Sequence, residues 1–300
     1  MAGKKNIKNK VQDLLFKAYD HPNDKKALEL ADEVLTLDPE NPEALMIKAD
    51  RIDNDNDDEK MQLIMRAINE INKGTRQDED YDLLSYALKQ RLAFIYFSLK
   101  EYDKVFTITR ELMKIDPDEM AIVDLYGMTR NLHYRTLIEL RKWSEILSDS
   151  MRDEIHDAAW AYSRLIAAFV LSSRDNYENN RACARMFCEA LRIAPEVPFY
   201  LLGYYDEPDD NDSESLESFN FALMFCDVMD ISDEFLTWFS KGTMLFGIFT
   251  NRFGREYDHI IDAIDALGGY DEYETLSKIM LESDDEAVLE MLASKGFPLR

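Results

Sequence analysis

The chain has 300 residues, enough for one or two globular domains or for one elongated solenoid. Its 10 glycines and 8 prolines are too few for an all-β protein with many tight turns, and this scarcity favours long helices. The formal net charge of −25, from 35 basic and 60 acidic residues, disfavours binding to the phosphate backbone of a nucleic acid.

The first 50 residues predict three amphipathic helices. The first covers residues 7–19, and its apolar face is formed by Val11, Leu14, Leu15 and Ala18. Asp24 is the expected N-cap of the second helix. Asn41 is the expected N-cap of the third helix, because Pro42 follows it at the position that proline favours in a first helical turn.

Residues 85–117 predict a helical hairpin. One apolar face carries Leu88, Leu92, Ile95 and Leu99, and a second carries Val105, Ile108 and Leu112. The polar stretch 100–103 separates the two helices, and Pro117 ends the unit. Two amphipathic helices joined by a short turn are typical of repeat proteins built from helical hairpins.

This hairpin resembles one tetratricopeptide repeat (TPR), with Ala93 and Tyr96 at the small and large positions and Pro117 as the closing proline. A fourth hairpin is expected from Met120, with its second helix over residues 136–147. A fifth is expected over residues 155–193. The resemblance implies an all-α fold: a TPR-like helical-hairpin solenoid with degenerate repeats, wound into a right-handed superhelix, over residues 1–253.

The segment ALRIAPEVPFYLLG, which ends at Gly203, resembles a stretch found in bacterial TPR-type proteins and in the tumour-suppressor-7 family. Two aromatic helices are predicted after it, over residues 216–230 and 235–249. Residues 254–300 do not fit the repeat pattern, and we interpret them as a divergent C-terminal helical cap in which Asp284 caps the last helix.

Motifs for catalysis and for metal binding are absent from the sequence. It contains neither a Gly-x-Ser-x-Gly elbow nor a glycine-rich phosphate loop with lysine, and its four histidines are far apart. We therefore expect no enzymatic activity, no cofactor and no metal site. The three cysteines, Cys183, Cys188 and Cys226, predict buried thiols in a reducing compartment. Without a signal peptide or a membrane-spanning run, the sequence predicts a cytoplasmic protein with no membrane partner.

The TPR resemblance also implies a ligand groove, because the first helix of each TPR hairpin lines a concave surface. The corresponding positions in the first two hairpins are Asn9, Gln12, Phe16, Tyr19, Glu43, Met46, Asp50 and Asp53. In the next two hairpins they are Ala87, Gln90, Phe94, Phe97, Ala121, Asp124, Met128 and Asn131. Such a mixture suits a peptide with apolar anchors and some positive charge. The alternative is that Phe16, Phe94 and Phe97 only pack neighbouring helices.

These patterns predict a non-catalytic adaptor or chaperone-like scaffold that binds a protein or peptide segment in its groove. Residues 193–300 contain 24 acidic and 6 basic residues, so their net charge of −18 would favour a basic partner. The alternative function is an acidic mimic of nucleic acid that inhibits a basic protein. A homodimer formed through the aromatic helices of residues 216–249 is a further hypothesis.

Overall fold

The computed structural model describes residues 2–52, 56–74, 81–116, 118, 123–150, 154–172, 177–209, 213–254, 257–280 and 284–299. Within these residues, all regular secondary structure is helical. The chain divides into two compact units, unit 1 (Met1–Thr136) and unit 2 (Leu137–Arg300). The predicted boundary between a repeat region and a cap at residues 253 and 254 concerns repeat character rather than compactness, and it stays a prediction.

Unit 1 contains six helices and most of a seventh among its described residues. They are α1 (Ala2–Tyr19), α2 (Asp24–Leu37), α3 (Pro42–Arg51), α4 (Asp57–Asn72), α5 (Asp82–Ser98), α6 (Tyr102–Leu112) and α7 (Val123–Glu139). From α1 to α6, each helix packs on the next along the chain, and α1 also contacts α3. This sequential packing keeps the contacts of the first six helices mostly local.

The core of unit 1 follows the apolar faces that the sequence predicts. Val11, Leu14, Leu15 and Ala18 are buried on α1 and pack with α2 and α3. A second cluster joins α3, α4 and α5 through residues that include Leu45, Leu63, Ile64, Leu88 and Leu92. Burying such stripes against neighbouring helices supplies most of the stability of short amphipathic helices.

Several helix starts are set by side chains next to them in the sequence. The Asn41 side chain accepts a hydrogen bond from the Ala44 N–H at 3.0 Å, which confirms the predicted cap of α3. The prediction of Asp24 as a cap is wrong by one residue. Asn23 caps α2 by accepting from the Lys26 N–H at 3.1 Å, and Asp24 occupies the first turn.

Unit 2 is built around aromatic side chains. Its helices are α8 (Trp143–Ser150), α9 (Ala158–Leu171), α10 (Tyr177–Ile193), α11 (Val197–Leu201), α12 (Ser213–Phe225), a 3₁₀ helix (Cys226–Ile231), α13 (Asp233–Phe249), α14 (Tyr257–Ala266), α15 (Tyr270–Ser277) and α16 (Asp285–Lys295). Asp284 caps α16 by accepting from the Ala287 N–H at 2.9 Å, as predicted. The buried core includes Phe169, Phe187, Phe235, Trp238 and Phe239, whose rings contact one another edge-on or tilted.

Two further expectations are corrected by the structure. The helix predicted over residues 136–147 is wrong, because α7 continues through Thr136 to Glu139 with Leu132, Leu137 and Ile138 all buried. Cys226 is exposed, whereas Cys183 and Cys188 are buried as predicted. Most aromatic rings of residues 216–249 are buried within unit 2, namely Phe221, Phe225, Phe235, Trp238, Phe239 and Phe246, so they do not form the exposed patch on which the homodimer hypothesis was based. The homodimer itself stays a prediction.

Candidate functional site

The outer face of α1 presents an exposed aromatic pair. Because Val11, Leu14, Leu15 and Ala18 turn one side of the helix inward, the opposite side carries Asn9, Gln12, Phe16 and Tyr19. Phe16 is 71% exposed and Tyr19 is 40% exposed. An aromatic ring left this open on a helix is costly to hydrate, so it is a candidate contact for a partner.

Tyr19 brings together side chains from three helices of unit 1. Burial of its hydroxyl, helped by the negative charges of Glu43 and Asp50 on α3, raises the pKa of Tyr19 far above its usual value. The positive charge of Arg91 on α5 opposes that rise in pKa. Glu43 and Asp50 belong to α3 and Arg91 to α5, so the charges that act on Tyr19 come from two other helices of unit 1. We call Phe16, Tyr19, Glu43, Asp50 and Arg91 the Tyr19 surface.

An ion pair fixes the charged part of the Tyr19 surface. Arg91 donates from Nε and from Nη2 to the two carboxylate oxygens of Asp50, at 2.7 and 2.8 Å. Its Nη1 donates to the Ala87 carbonyl, one helical turn earlier, at 3.2 Å. Two parallel hydrogen bonds orient both side chains. Asp50 is therefore already engaged, and a basic ligand would have to compete with Arg91 for its carboxylate.

Three predicted groove residues, Met46, Ala87 and Gln90, are buried, which argues against their contact with a ligand. Met46 belongs to the core between α3, α4 and α5. Gln90 donates to the Leu125 carbonyl at 2.6 Å and to Thr129 Oγ1 at 2.9 Å, which ties α5 to α7. A buried amide needs hydrogen-bond partners, and Leu125 and Thr129 supply them. The side chain of Gln90 therefore belongs to the interior and not to a binding surface.

The predicted aromatic residues of α5 are half-buried. Phe94 and Phe97 pack against the cluster of Ala93, Val105 and Leu132. Phe97 also meets the Tyr102 ring edge-on, with 5.4 Å between centroids, and the Arg135 guanidinium lies 5.9 Å from its centroid. These contacts favour the alternative in which the two rings pack neighbouring helices.

Among the described residues, the predicted groove positions on α7 provide fewer exposed side chains than those on α1. Met128 is 49% exposed, and Asn131 is half-buried. The side chain of Asp124, together with Asp53 and Ala121, lies outside the described residues. Sequence reasoning missed Arg91. The signal that could have found it is its position one helical turn after Ala87, a predicted groove residue, because residues four apart share one face of a helix.

Two other kinds of site, one for a metal ion and one for a small organic ligand, lack support among the described residues. In the described part of the chain, no group of three or more His, Cys, Asp or Glu side chains is arranged to hold a metal ion. Unit 2 encloses an apolar cavity of about 10 Å³, lined by Tyr162, Ile166, Leu201, Phe221, Phe225, Met229, Phe235 and Phe239. A volume near the lower limit for one water molecule is too small for an organic ligand.

Comparison of the chain with protein-family models, with curated proteins and with solved structures finds no match. Across the described ranges, no helix combines the length and apolar character needed to cross a membrane.

Proposed function

We propose that the protein is a non-catalytic interaction scaffold, adaptor or chaperone-like, whose unit 1 binds a peptide segment of a partner protein across the Tyr19 surface. The observation that carries the proposal is the 71% exposure of Phe16 on the same face of α1 as Tyr19. Phe16 would anchor an apolar side chain of the peptide. Glu43 and the Asp50–Arg91 pair would select its polar neighbours.

The repeat architecture belongs to this proposal. Sequential packing from α1 to α6 supports a TPR-like solenoid, as does the contact of α1 with α3, which are first helices of successive hairpins. In such an arrangement the first helices form one continuous surface. A right-handed superhelix and membership of the TPR class are parts of the same proposal, and so is a cytoplasmic location, which fits three cysteines present as thiols.

A phage-displayed library of random peptides, selected on the full chain, tests the proposal. We expect the selected peptides to bind the Phe16→Asp variant at least about tenfold more weakly, because a charge would replace the apolar anchor. The matched control is Met65→Asp on α4, where Met65 is 44% exposed on a second helix of a hairpin. This control should bind the peptides as the unmodified chain does. Peptides that bind all three proteins equally would contradict the proposal.

Salt separates this function from the alternative of an acidic mimic of nucleic acid. Apolar anchoring should persist between about 0.15 M and about 1 M sodium chloride, whereas binding driven by the net charge of −25 should be lost. If every ligand is basic and is released by salt, the acidic-mimic function replaces the scaffold proposal.

A further inference from the structure

The end of the described chain occupies a site in unit 2 that is formed by two helices. On α13, Trp238 donates from its indole Nε1 to the Pro298 carbonyl at 2.8 Å, and Lys241 Nζ donates to the Leu299 carbonyl at 2.8 Å. On α15, Glu272 Oε1 accepts from the Leu299 N–H at 3.1 Å. Three side chains therefore hold consecutive peptide groups of one non-helical segment, residues 297–299.

A turn at Gly296 connects α16 to the segment that occupies this site. Gly296 ends α16 with a φ of 72°, a left-handed conformation that glycine adopts without the strain of a side chain. After the turn, the Phe297 N–H donates to the Leu292 carbonyl at 2.9 Å. Phe297 and Pro298 are buried, while Leu299 remains 40% exposed. The segment thus combines a buried apolar anchor, Phe297, with a partly exposed Leu299.

Two further glycines make room for the site. A Cβ at Gly242 would lie 2.6 Å from a ring carbon of Phe187 and 3.1 Å from Pro298 Cδ, so only glycine lets the proline ring approach α13 this closely. A Cβ at Gly269 would lie 3.2 Å from Lys241 Cδ. The backbone is therefore shaped both for the ring of Pro298 and for the stem of Lys241.

The two charged side chains of the site, Lys241 and Glu272, form hydrogen bonds with the segment that fills it. Lys241 Nζ lies 3.6 Å from Glu272 Oε1, and these side chains are only 10% and 4% exposed. A buried ion pair is unfavourable unless hydrogen bonds satisfy the remaining donors and acceptors. Here the carbonyl and the N–H of Leu299 supply those bonds. The pair is thus matched to the peptide backbone of one residue, Leu299, which presents a donor and an acceptor.

We propose that Trp238, Lys241 and Glu272 form a peptide-binding site for segments of the Phe-Pro-Leu type, and that residues 297–299 are its exchangeable internal ligand. The site lies within unit 2 and is independent of the function proposed for unit 1. Exchange is expected because residues 297–299 follow a single glycine turn and are held by few side chains. While attached, it competes at an effective concentration of about millimolar.

The test uses a fluorescently labelled peptide with the sequence of residues 293–300, ASKGFPLR, and fluorescence anisotropy. We expect the full chain carrying Phe297→Ala to bind it at least about tenfold more tightly than the unmodified chain, because the internal ligand loses its buried anchor. Adding Lys241→Met to Phe297→Ala should reverse this gain in affinity for the labelled peptide. Adding Lys278→Met instead, at a lysine that is 67% exposed, is the matched control and should leave the gain intact.

A second peptide identifies the contact with Glu272. Methylation of the nitrogen of its Leu299 removes the donor that Glu272 accepts, so this peptide should bind Phe297→Ala about tenfold more weakly than the unmodified peptide. In the Phe297→Ala/Glu272→Gln variant, where the acceptor carries no charge, that difference should shrink. An unchanged difference would show that the peptide binds elsewhere and would overturn the proposal.

The proposal also fails if the Phe297→Ala chain keeps its helical circular dichroism spectrum but does not bind the peptide, because residues 297–299 would then be a fixed structural element. If that variant does not fold, the unmodified chain is tested with a photo-crosslinking benzophenone in place of the peptide's Phe297 ring, at about millimolar concentration to match the internal ligand. Crosslinks on α13 or α15 support the site, and crosslinks elsewhere, or none, overturn it.

Discussion

The guanidinium of Arg91 binds both carboxylate oxygens of Asp50, at 2.7 and 2.8 Å, and so joins two helices whose paired residues are 41 positions apart in the chain. The Arg91 and Asp50 side chains are 31% and 36% exposed, so water screens the pair only in part. The pair fixes the polar part of the Tyr19 surface. Its contribution to stability can be measured separately from peptide binding.

A double-mutant cycle with Asp50→Asn and Arg91→Met should give a coupling free energy of about 0.5–1 kcal/mol, because the pair is bidentate but partly hydrated. Urea denaturation of the four proteins measures it. The control cycle uses the more exposed pair of Lys17 and Asp13 on α1, for which about 0.3 kcal/mol is expected. Equal couplings in the two cycles would mean that the two hydrogen bonds of Arg91 add nothing to stability.

Phe16→Ala should lower the free energy of unfolding by less than about 0.5 kcal/mol, because the ring is mostly in water. Leu15→Ala, at the neighbouring buried position, should lower it by about 2–5 kcal/mol through the cavity it leaves. Chemical denaturation measures both. A large loss for Phe16→Ala would show that the ring supports the fold instead of presenting a contact.

Phe94→Asp should lower the free energy of unfolding by more than about 1 kcal/mol, because it places a carboxylate against the cluster of Ala93, Val105 and Leu132. Met128→Asp, at a side chain that is 49% exposed, is the control and should change it by less than about 0.5 kcal/mol. Thermal and urea denaturation give the comparison. Full stability of Phe94→Asp would restore Phe94 to the ligand groove.

Gly247→Ala should destabilise unit 2 by about 1–3 kcal/mol, because the new Cβ would lie 2.4 Å from a ring carbon of Phe253 and 2.9 Å from one of Phe199. Gly127→Ala on α7 should instead stabilise the chain by up to about 1 kcal/mol, since no atom lies within 4 Å and alanine favours the helix. Differential scanning calorimetry should show opposite shifts of the melting temperature. Shifts of the same sign would contradict the packing at Gly247.

The cysteines should differ in reactivity towards a thiol reagent. Cys226 is exposed, so in the native protein it should react quickly, whereas Cys183 and Cys188 should react only after unfolding. Burial raises the pKa of Cys188 from its ordinary value of 9.0 to about 12, which further suppresses the reactive thiolate. A colorimetric thiol assay with and without denaturant checks the expected ratio of one to three. Rapid reaction of all three thiols in the native protein would contradict this burial.

The raised pKa of Cys188 also makes stability depend on pH. Between pH 9.0 and about 12 the unfolded chain loses the thiol proton while the native chain keeps it. Ionisation then favours the unfolded chain, so the free energy of unfolding should fall as pH rises through this range. The fall should be smaller in Cys188→Ala, and the difference between the two proteins isolates the thiol from the tyrosines. Identical pH profiles would contradict the shift.

Local sequence determined the helices and several of their ends. Asn41 and Asp284 cap helices because each side chain needs only the N–H three residues later. The buried face of α1 could likewise be predicted, because the spacing of Val11, Leu14 and Leu15 by itself defines one side of a helix.

Only the tertiary structure decided which of the remaining faces stay open. Gln90 is buried because Thr129, 39 residues later, offers its hydroxyl, and Arg91 joins the Tyr19 surface because Asp50, 41 residues earlier, accepts its two hydrogen bonds. Likewise, the site of Lys241 and Glu272 exists because Leu299 folds back onto it. Helical periodicity shows which side of a helix is apolar, but burial of a polar side chain depends on partners that are distant in the chain.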